Sequence, residues 1–184
     1  MKSLLERFND SCNNSRIEEL ELPLFQTKGI RVFVKRDDLI HPYISGNKWR
    51  KLKYHLEAFY DSGAKSVTTY GGAYSNHLIA TACAGKIFNI QTKGIVRGDE
   101  LHKRSNRALS ICDEFGMDLQ FVSRSEYRDT KHKTGIEGGV YFLPEGGAGA
   151  MGRKGCADIL DELSAEYDHM ILDVGTGTTY LGVL

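Results

Sequence analysis

The sequence predicts an α/β fold, in which a parallel β-sheet is covered by helices on both faces. Apolar β-type runs alternate with helical patterns along most of the chain, and the glycines form groups at or next to the junctions between them. Strands joined through helices of about 10 to 15 residues pair in parallel and are covered on both faces. Such sheets bind ligands at the carboxyl ends of their strands, so we expect the functional residues just after strands.

The strands are predicted from short runs that are rich in β-branched and aromatic residues and are bounded by turn-forming residues. In chain order, the predicted strands are Arg31–Lys35, Lys65–Tyr70, Ile90–Val96, Asp118–Val122, Val140–Leu143 and His169–Val174.

The helices are predicted where apolar residues recur every three or four positions. The apolar stripe of the first helix consists of Trp49, Leu52, Leu56 and Phe59. Ser75 suits the N-cap of the second helix, because its hydroxyl can accept a hydrogen bond from a free backbone N–H group. The predicted helices are Asn47–Asp61, Ser75–Ile87, Leu101–Phe115 and Met151–Tyr167, with a shorter one over Ser125–His132.

The composition indicates a soluble, cytoplasmic protein. Lys and Arg together number 24, as do Asp and Glu, so the formal net charge is zero. Nucleic acids and acidic membranes favour partners with a basic excess, so neither is expected to bind. The N-terminus carries charges at Glu6 and Arg7, unlike a secretory leader, and no run approaches the roughly 18 apolar residues of a membrane span.

The four cysteines are far apart in the sequence, at Cys12, Cys83, Cys112 and Cys156. They form no C-x-x-C pair, so the sequence predicts neither a zinc site nor a disulfide framework. We expect reduced thiols and no bound metal.

The glycines cluster in four places, and each cluster is expected at a strand–helix junction. Glycine there permits a positive φ angle and a close approach of the backbone to a ligand. Four such loops favour a binding cleft over routine turns. The groups are Gly71-Gly72, Gly138-Gly139, Gly146-Gly147-Ala148-Gly149 and Gly175-Thr176-Gly177.

The first candidate site is Lys48, near the start of the first long helix. At about 100° per residue, Lys48 lies about 60° from the centre of the apolar stripe, whereas Arg50 and Lys51 lie well over 100° away. One interpretation is a lysine that reaches from the helix start to water. The other is a partly buried amine with a lowered pKa that can form an imine.

The second candidate site follows the strand that ends at Tyr70. Ser75, Asn76 and His77 could offer a hydroxyl, an amide and an imidazole to one ligand at the strand's carboxyl end. Capping explains Ser75 alone, but Asn76 and His77 are not strong helix formers. From these residues by themselves, a binding role and a structural role remain equally open.

The third candidate site is the turn Gly175-Thr176-Gly177-Thr178-Thr179. Backbone N–H groups, threonine hydroxyls and a helix start all favour a bound phosphate. The turn is neither a Walker loop nor a G-x-G-x-x-G sequence, so alone it is a weak signal.

In combination these motifs resemble the pyridoxal-phosphate (PLP) dependent family of 1-aminocyclopropane-1-carboxylate (ACC) deaminase and D-cysteine desulfhydrase. G-N-K-x-R-K around Lys48 is followed by S-N-H in a G-G-x-x-S-N turn and then by the Gly/Thr turn. Lys35-Arg36-Asp37-Asp38 and Leu143-Pro144-Glu145-Gly146-Gly147 add to the resemblance, which runs from about Leu22 to the end of the chain. It implies the three-layer α/β fold of PLP fold type II, also called tryptophan synthase β-like.

The resemblance also implies roles for individual residues. Lys48 matches the lysine that forms the Schiff base with PLP, and Asn76 matches the asparagine that hydrogen-bonds the cofactor's phenolic oxygen. Ser75 faces the substrate and has a catalytic role, and Asn76 and His77 join it in binding the substrate. The turn Gly175–Thr179 (Gly175, Thr176, Gly177, Thr178 and Thr179) holds the phosphate.

The family's length predicts that this chain is truncated. Its members have about 300 to 340 residues, and the chain stops soon after the strand His169–Val174. We therefore expect an N-terminal half: residues 51–155 form the small α/β domain, and residues 1–50 and 156–184 belong to an incomplete large domain. The resemblance implies a homodimer for the whole protein.

The implied activity is that of a PLP-dependent lyase or deaminase acting on a small amino acid. The products are pyruvate, ammonia and sulfide from D-cysteine, or 2-oxobutanoate and ammonia from ACC. S-N-H at residues 75–77 resembles the desulfhydrase-like members, since ACC deaminases tend to have S-N-Q. The alternatives are another fold-type II lyase or racemase, an inactive fragment, or a small phosphate-binding module.

Overall fold

The computed structural model describes residues 2–11, 15–163 and 166–184. At the N-terminal end, two short strands pair antiparallel and form a small sheet of their own. The predicted strand Arg31–Lys35 is therefore shorter than expected and does not belong to the parallel sheet. The elements of this part are α1 (Lys2–Ser11), β1 (Ile17–Glu19), α2 (Pro23–Lys28) and β2 (Phe33–Lys35).

The main sheet has five strands in the spatial order β5-β4-β3-β7-β6. All neighbouring strands are parallel except the edge pair β6 and β7, which are antiparallel. The predicted parallel sheet is thus confirmed, with one antiparallel edge strand that was not predicted. The strands are β3 (Ser66–Gly72), β4 (Gln91–Arg97), β5 (Asp118–Val122), β6 (Gly135–Glu137) and β7 (Val140–Phe142).

Helices follow the strands as predicted, and side-chain caps set several of their starts. The side chains of Ser75, Asn106 and Ser123 each accept a hydrogen bond from a backbone N–H group three residues later. Because Asn106 caps α5, that helix begins after residue 106 and not at Leu101 as predicted. The helices are α3 (Asn47–Ser62), α4 (Asn76–Phe88), α5 (Arg107–Glu114), α6 (Arg124–Thr130), α7 (Ala150–Asp161) and α8 (Thr178–Val183).

Helices cover both faces of the main sheet. On one face, α3 and α4 pack on β3 and β7, and α4 and α5 pack on β4 and β5. On the other face, Tyr127 of α6 packs against Tyr70 and Val122. Successive residues of a strand point to opposite faces, so each strand contributes to both layers.

Close packing joins α3 to α7 at a glycine. A Cβ atom at Gly155 would lie 1.8 Å from the backbone oxygen of Arg50, so only glycine lets the two helices approach this closely. Gly182 of α8 packs in the same way on α7, where its Cβ would lie 2.5 Å from that of Cys156. The three helices therefore form one tightly packed unit.

One of the four glycine groups is not at a strand–helix junction. Gly138 and Gly139 form the two-residue turn of the hairpin between β6 and β7, with φ angles of 58° and 80°. Positive φ at both positions is typical of the tight turn that matches the strand twist, which favours glycine. This pair is structural, and only the other three groups can bear on the cleft.

The prediction of a strand over His169–Val174 is wrong. Residues 169–174 have no regular structure, and none of the described strands pairs with them. Ile171 and Val174 are 94% and 65% exposed. A strand needs hydrogen bonds to a neighbour, so an apolar run without one does not form a ladder. The preceding helix, α7, ends at Asp161, before the predicted end at Tyr167, and residues 164–165 lie outside the described residues.

The thiols of Cys83, Cys112 and Cys156 are free and buried, while Cys12 lies outside the described residues. Among the described helices, none is both long enough and apolar enough to cross a lipid bilayer.

Candidate active site

A cavity of about 240 Å³ lies beyond the carboxyl end of β3. The starts of α3 and α4 form one side of it, and the segment that leads into α8 forms the other. The residues that line it are Asn47, Lys48, Lys51, Ser75, Asn76, His77, Gly146, Asp173, Gly175, Thr176, Gly177, Thr179 and Tyr180. All three sequence-predicted sites therefore meet at one cavity.

Lys48 lies in the first turn of α3, half-buried, with its amine at the cavity. Its Nζ donates a hydrogen bond to Asn47 Oδ1 at 2.5 Å. Burial lowers the pKa of Lys48, the ammonium of Lys51 adds to this effect, and the carboxylate of Asp173 opposes it. A lysine with a lowered pKa has a larger neutral fraction at a given pH, and the neutral amine is the nucleophile.

Arg50 and Lys51 are buried as well, contrary to the position predicted from the apolar stripe. They are only 6% and 4% exposed. The stripe shows the face that α3 buries on the sheet, but α7 packs on a second face and covers these residues. Among the described residues, the amine of Lys51 forms no hydrogen bond or ion pair, and burial lowers its pKa. Its spacing of three residues from Lys48 was the signal that could have placed both amines in one cavity.

Arg50 is held by carboxylates from two distant segments. Its guanidinium donates to both carboxylate oxygens of Asp37, at 3.1 and 3.0 Å, and to Glu162, at 2.8 Å. Lys35 also pairs with Glu162 at 2.7 Å. Burial alone would raise the pKa of Glu162, but hydrogen bonds from Arg50 and Lys35 lower it to about 2. The motif Lys35-Arg36-Asp37-Asp38 thus helps to fix the helix that carries Lys48.

Ser75 and Asn76 lie at the cavity as predicted. The hydroxyl of Ser75 caps α4 by accepting a hydrogen bond from the backbone N–H of Leu78 at 3.3 Å. A Cβ atom at Gly71 would lie 2.7 Å from Ser75 Oγ, so glycine at 71 makes room for the serine. Asn76 is exposed at the rim. Ser75 therefore combines a structural role with a position at the cavity.

His77 lines the cavity, but its imidazole is only 3% exposed and has a defined tautomer. The hydroxyl of Thr69 donates to the backbone oxygen of Leu143 at 2.9 Å, so it must accept from His77 Nε2, also at 2.9 Å. Nδ1 then carries the lone pair and has no hydrogen-bond partner among the described residues. Burial, together with the nearby ammonium of Lys48, lowers the pKa of His77 to about 3. The side chain is thus a neutral imidazole.

The Gly/Thr turn forms the opposite wall of the cavity. Gly175, Thr176, Gly177 and Thr179 line the cavity. Thr178 is 3% exposed, does not line the cavity, and pairs with the hydroxyl of Thr176 at 3.0 Å. The turn is linked to α3 across the cavity, because Asn47 Nδ2 donates to Thr179 Oγ1 at 2.9 Å. Sequence reasoning missed Asn47, whose partner is 132 residues away.

A glycine loop from the motif Leu143–Gly147 closes the cavity between its two walls. A Cβ at Gly146 would lie 2.9 Å from the side chain of Thr176, and one at Gly147 would lie 2.9 Å from Lys51 Cβ. Both glycines have positive φ angles. Glu145 anchors this loop by accepting a hydrogen bond from the hydroxyl of Tyr127 at 2.8 Å.

Together these groups offer a nucleophilic amine and a polar pocket with a net positive charge. Lys48 and Lys51 supply two amines and Asp173 one carboxylate, and threonine hydroxyls face the same space. Cations and hydroxyls are suited to a phosphate group, and an amine with a lowered pKa is suited to an aldehyde.

Comparison with known proteins agrees with this chemistry. The family of pyridoxal-phosphate dependent enzymes matches residues 16–184. A protein of Thermotoga maritima with a provisional ACC deaminase name is 34% identical over 175 residues, which cover 87% of this chain and 55% of that protein. The mitochondrial bifunctional D-cysteine desulfhydrase/ACC deaminase of Arabidopsis thaliana is 29% identical, covering 84% of this chain and 44% of that protein. The chain thus spans about half the length of the curated relatives it matches.

Solved structures show the same fold. The crystal structure of an ACC deaminase homologue superposes with a TM-score of 0.75 at 25% identity and covers 92% of this chain and 55% of that one. A fungal L-serine ammonia-lyase from Rhizomucor miehei has a TM-score of 0.69 at 17% identity, over 90% of this chain and 53% of that one, and supports the fold alone. These matches confirm the predicted fold class, PLP fold type II, and the predicted resemblance. This chain belongs to the family of pyridoxal-phosphate dependent enzymes.

Proposed function

We propose that the protein containing this chain is a PLP-dependent lyase or deaminase that acts on a small amino acid, with Lys48 as the residue that bonds the cofactor. The observation that carries the proposal is the position of the Lys48 amine. It lies at a cavity whose other wall is the Gly/Thr turn, and burial lowers its pKa.

The residues at the cavity fit two groups of the cofactor, its aldehyde and its phosphate. The amine of Lys48 suits the aldehyde. The hydroxyls of Thr176 and Thr179 suit the phosphate, as does the amine of Lys51, which has no ion-pair partner among the described residues. Gly175 and Gly177 leave the backbone accessible. Asn76, exposed at the rim, is proposed to hydrogen-bond the ring oxygen. Thr178 contributes indirectly, because it orients the hydroxyl of Thr176.

When bound, PLP accepts the electrons released as a bond to the substrate's Cα or ring breaks. The amine of Lys48 is then the group that takes and returns a proton at Cα or at the adjacent carbon. Ser75 and Asn76 line the cavity and are proposed to bind the substrate carboxylate, and the hydroxyl of Ser75 is proposed to act on the substrate. His77 contributes as a neutral imidazole, since its pKa lies far below neutral pH.

Two substrates are favoured by the names of the relatives. A protein of the desulfhydrase type eliminates sulfide from D-cysteine and, with water, gives pyruvate and ammonia. One of the ACC deaminase type opens the cyclopropane ring and, with water, gives 2-oxobutanoate and ammonia. We favour the desulfhydrase because the sequence at 75–77 is S-N-H. The alternatives are that the protein is another fold-type II lyase or racemase, or that the chain is an inactive fragment.

We also propose the domain assignment given above, a homodimeric whole protein and a cytoplasmic location. The small domain comprises residues 51–155, and residues 1–50 and 156–184 belong to the large one. Both boundaries fall within helices, α3 and α7, and these two helices pack closely through Gly155.

The experiment is an absorbance titration of the protein with PLP. A near-visible band is expected to form, and Lys48→Ala should abolish it, whereas Lys86→Ala, on the exposed side of α4, should leave it intact. A band that survives in Lys48→Ala would refute the assignment. Sulfide release from D-cysteine and 2-oxobutanoate release from ACC, measured in parallel, decide between the two substrates. A band without turnover of either would favour the alternatives.

A further inference from the structure

We propose that Asn47 is a positioning residue that holds the amine of Lys48 in place by linking it to the Gly/Thr turn across the cavity. This inference rests on the function proposed for the site and goes beyond it, because it concerns a residue with no role there.

The carboxamide of Asn47 contacts both walls of the cavity at once. Its Oδ1 accepts from Lys48 Nζ at 2.5 Å, and its Nδ2 donates to Thr179 Oγ1 at 2.9 Å. An ammonium group has only donors, so the amide oxygen must face Lys48 and the amide nitrogen must face Thr179. Each hydrogen bond thereby fixes the orientation needed for the other.

Both ends of this bridge have fixed supports. On the α3 side, the backbone N–H of Gly46 donates to the backbone oxygen of Asp37 at 2.9 Å, and the same Asp37 holds Arg50. Lys48 therefore lies between two residues that are tied to Asp37. On the other side, Thr179 is 8% exposed and belongs to α8, which packs on α7 at Gly182.

A lysine side chain has four rotatable bonds and about 2 kcal/mol of rotamer entropy, so an amine without an anchor samples much of the cavity. Several charged or titratable groups surround it: Lys51 on α3, His77 on α4, Cys156 on α7 and Asp173 before the turn. Without the amide, the amine would lose the hydrogen-bond acceptor that fixes its position among these groups. The bridge formed by Asn47 holds the amine between Ser75, at the start of α4, and the Gly/Thr turn.

The bridge also has an electrostatic effect that can be measured. A hydrogen bond accepted from the ammonium form favours that form, and so it raises the pKa of Lys48 against the effect of burial. Removal of the amide oxygen lowers this pKa, and replacement by a carboxylate raises it. Loss of the Thr179 hydroxyl acts in the same direction as loss of the amide, but less strongly, because the amide is only loosened.

The test measures the pKa of Lys48 in the cofactor-free protein by NMR titration of lysine 13Cε and 15Nζ signals, with Lys48 assigned through Lys48→Arg. We expect Asn47→Ala to lower the pKa by about one unit and Asn47→Asp to raise it by a similar amount. Thr179→Val should lower it by less, and Thr179→Ser, which keeps the hydroxyl, should restore the wild-type value. The double variant Asn47→Ala/Thr179→Val should match Asn47→Ala alone, because the two act through one bridge.

A merely structural link between α3 and α8 predicts a different result. Asn47→Ala would then lower the stability and leave the pKa of Lys48 unchanged, and that outcome would overturn the proposal. Additive effects in the double variant would overturn it too. If Asn47→Ala fails to fold, Asn47→Asp and the two Thr179 variants still decide. Because no cofactor is present, failure here leaves the absorbance test of Lys48 unaffected, and a failed absorbance test leaves this result standing.

Discussion

The two walls of the cavity differ in how this chain holds them. The wall formed by the start of α3 is buried on nearly every side. Trp49, Arg50, Lys51 and Leu52 are each less than 7% exposed, and Arg50 lies in a cluster of ion pairs. The opposite wall is reached through residues 166–177, which have no regular structure and are largely exposed.

The wall at the start of α3 is preorganised, whereas the opposite wall is held less firmly. Packing and ion pairs fix the start of α3, the helix that carries Lys48. Gly175 and Thr176 of the facing turn are exposed. The hydrogen bond from Asn47 links the turn to that wall at Thr179, and the packing of α8 on α7 buries its Thr178 end. Substitutions on the first wall should therefore affect stability much more than substitutions on the second.

A large effect on stability is expected from the ion-pair cluster around Arg50. Arg50→Met removes both hydrogen bonds of the guanidinium to the half-buried Asp37 and leaves Lys35, at 3.6 Å, as its cationic partner. Removal of one partner of a buried pair costs about 3 kcal/mol. We expect a loss of that size in the free energy of unfolding, measured by urea denaturation. Arg153→Met, at an exposed position on α7, is the control and should change little. Equal effects of the two substitutions would contradict the difference between the walls.

A glycine pair compares the walls directly. Gly155→Ala places a Cβ 1.8 Å from the backbone oxygen of Arg50, so α3 and α7 must move apart, at a cost of about 1 to 3 kcal/mol. Gly175→Ala meets no atom within 4 Å and should cost less than about 0.5 kcal/mol. Thermal and urea unfolding of both variants test the difference, and a costlier Gly175→Ala would reverse it.

The pH dependence of stability tests the buried imidazole. The pKa of His77 is lowered to about 3 in the folded chain, whereas that of an unfolded histidine is about 6.5. As the pH falls below about 6.5, the unfolded chain takes up a proton that the folded chain does not, so the unfolding free energy decreases by up to about 1.4 kcal/mol per pH unit. Above about pH 6.5 the neutral His77 makes its full contribution to the unfolding free energy.

His77→Gln should therefore reduce the slope of stability against pH between about pH 6.5 and 5, before most carboxylates titrate. Part of the slope should remain in His77→Gln, because burial also lowers the pKa of His55. His132→Gln, at an exposed position, is the control. An unchanged slope in His77→Gln would show that the imidazole is not held neutral.

The smallest effect is expected on the exposed wall. Ile171 is 94% exposed, so Ile171→Ala should change the unfolding free energy by less than about 0.5 kcal/mol. Ile44, in the loop before α3, is fully buried, and Ile44→Ala should cost about 2 to 5 kcal/mol. Urea denaturation of the pair checks the contrast. A large loss in Ile171→Ala would mean that residues 166–177 are held more firmly than their exposure indicates.

The sequence predicted those parts of the fold and site that depend on local patterns. The parallel strands, the helices between them and the cap at Ser75 follow from periodicity and turn chemistry. The resemblance to the PLP-dependent family placed Lys48, Ser75 and the Gly/Thr turn at one site, and all three lie at one cavity.

The remainder depends on contacts between residues far apart in the chain. The burial of Arg50 requires Asp37 and Glu162, and the neutral tautomer of His77 requires Thr69. The apolar stripe of α3 identifies only the face that packs on the sheet. It does not show that α7 covers a second face, so the burial of Arg50 and Lys51 was not predicted. The apolar run at 169–174 satisfied a strand pattern, but a pattern does not supply a neighbouring strand.

The glycine hairpin at 138–139 has a consequence for how the sheet ends. It folds β6 back along β7, so the outermost strand on that side is only three residues long and is exposed at each of them. Lys133 and Glu137 form an ion pair along it. A short, charged edge strand offers few unpaired backbone groups to another chain, and this protects the sheet against the strand-by-strand growth that leads to aggregates.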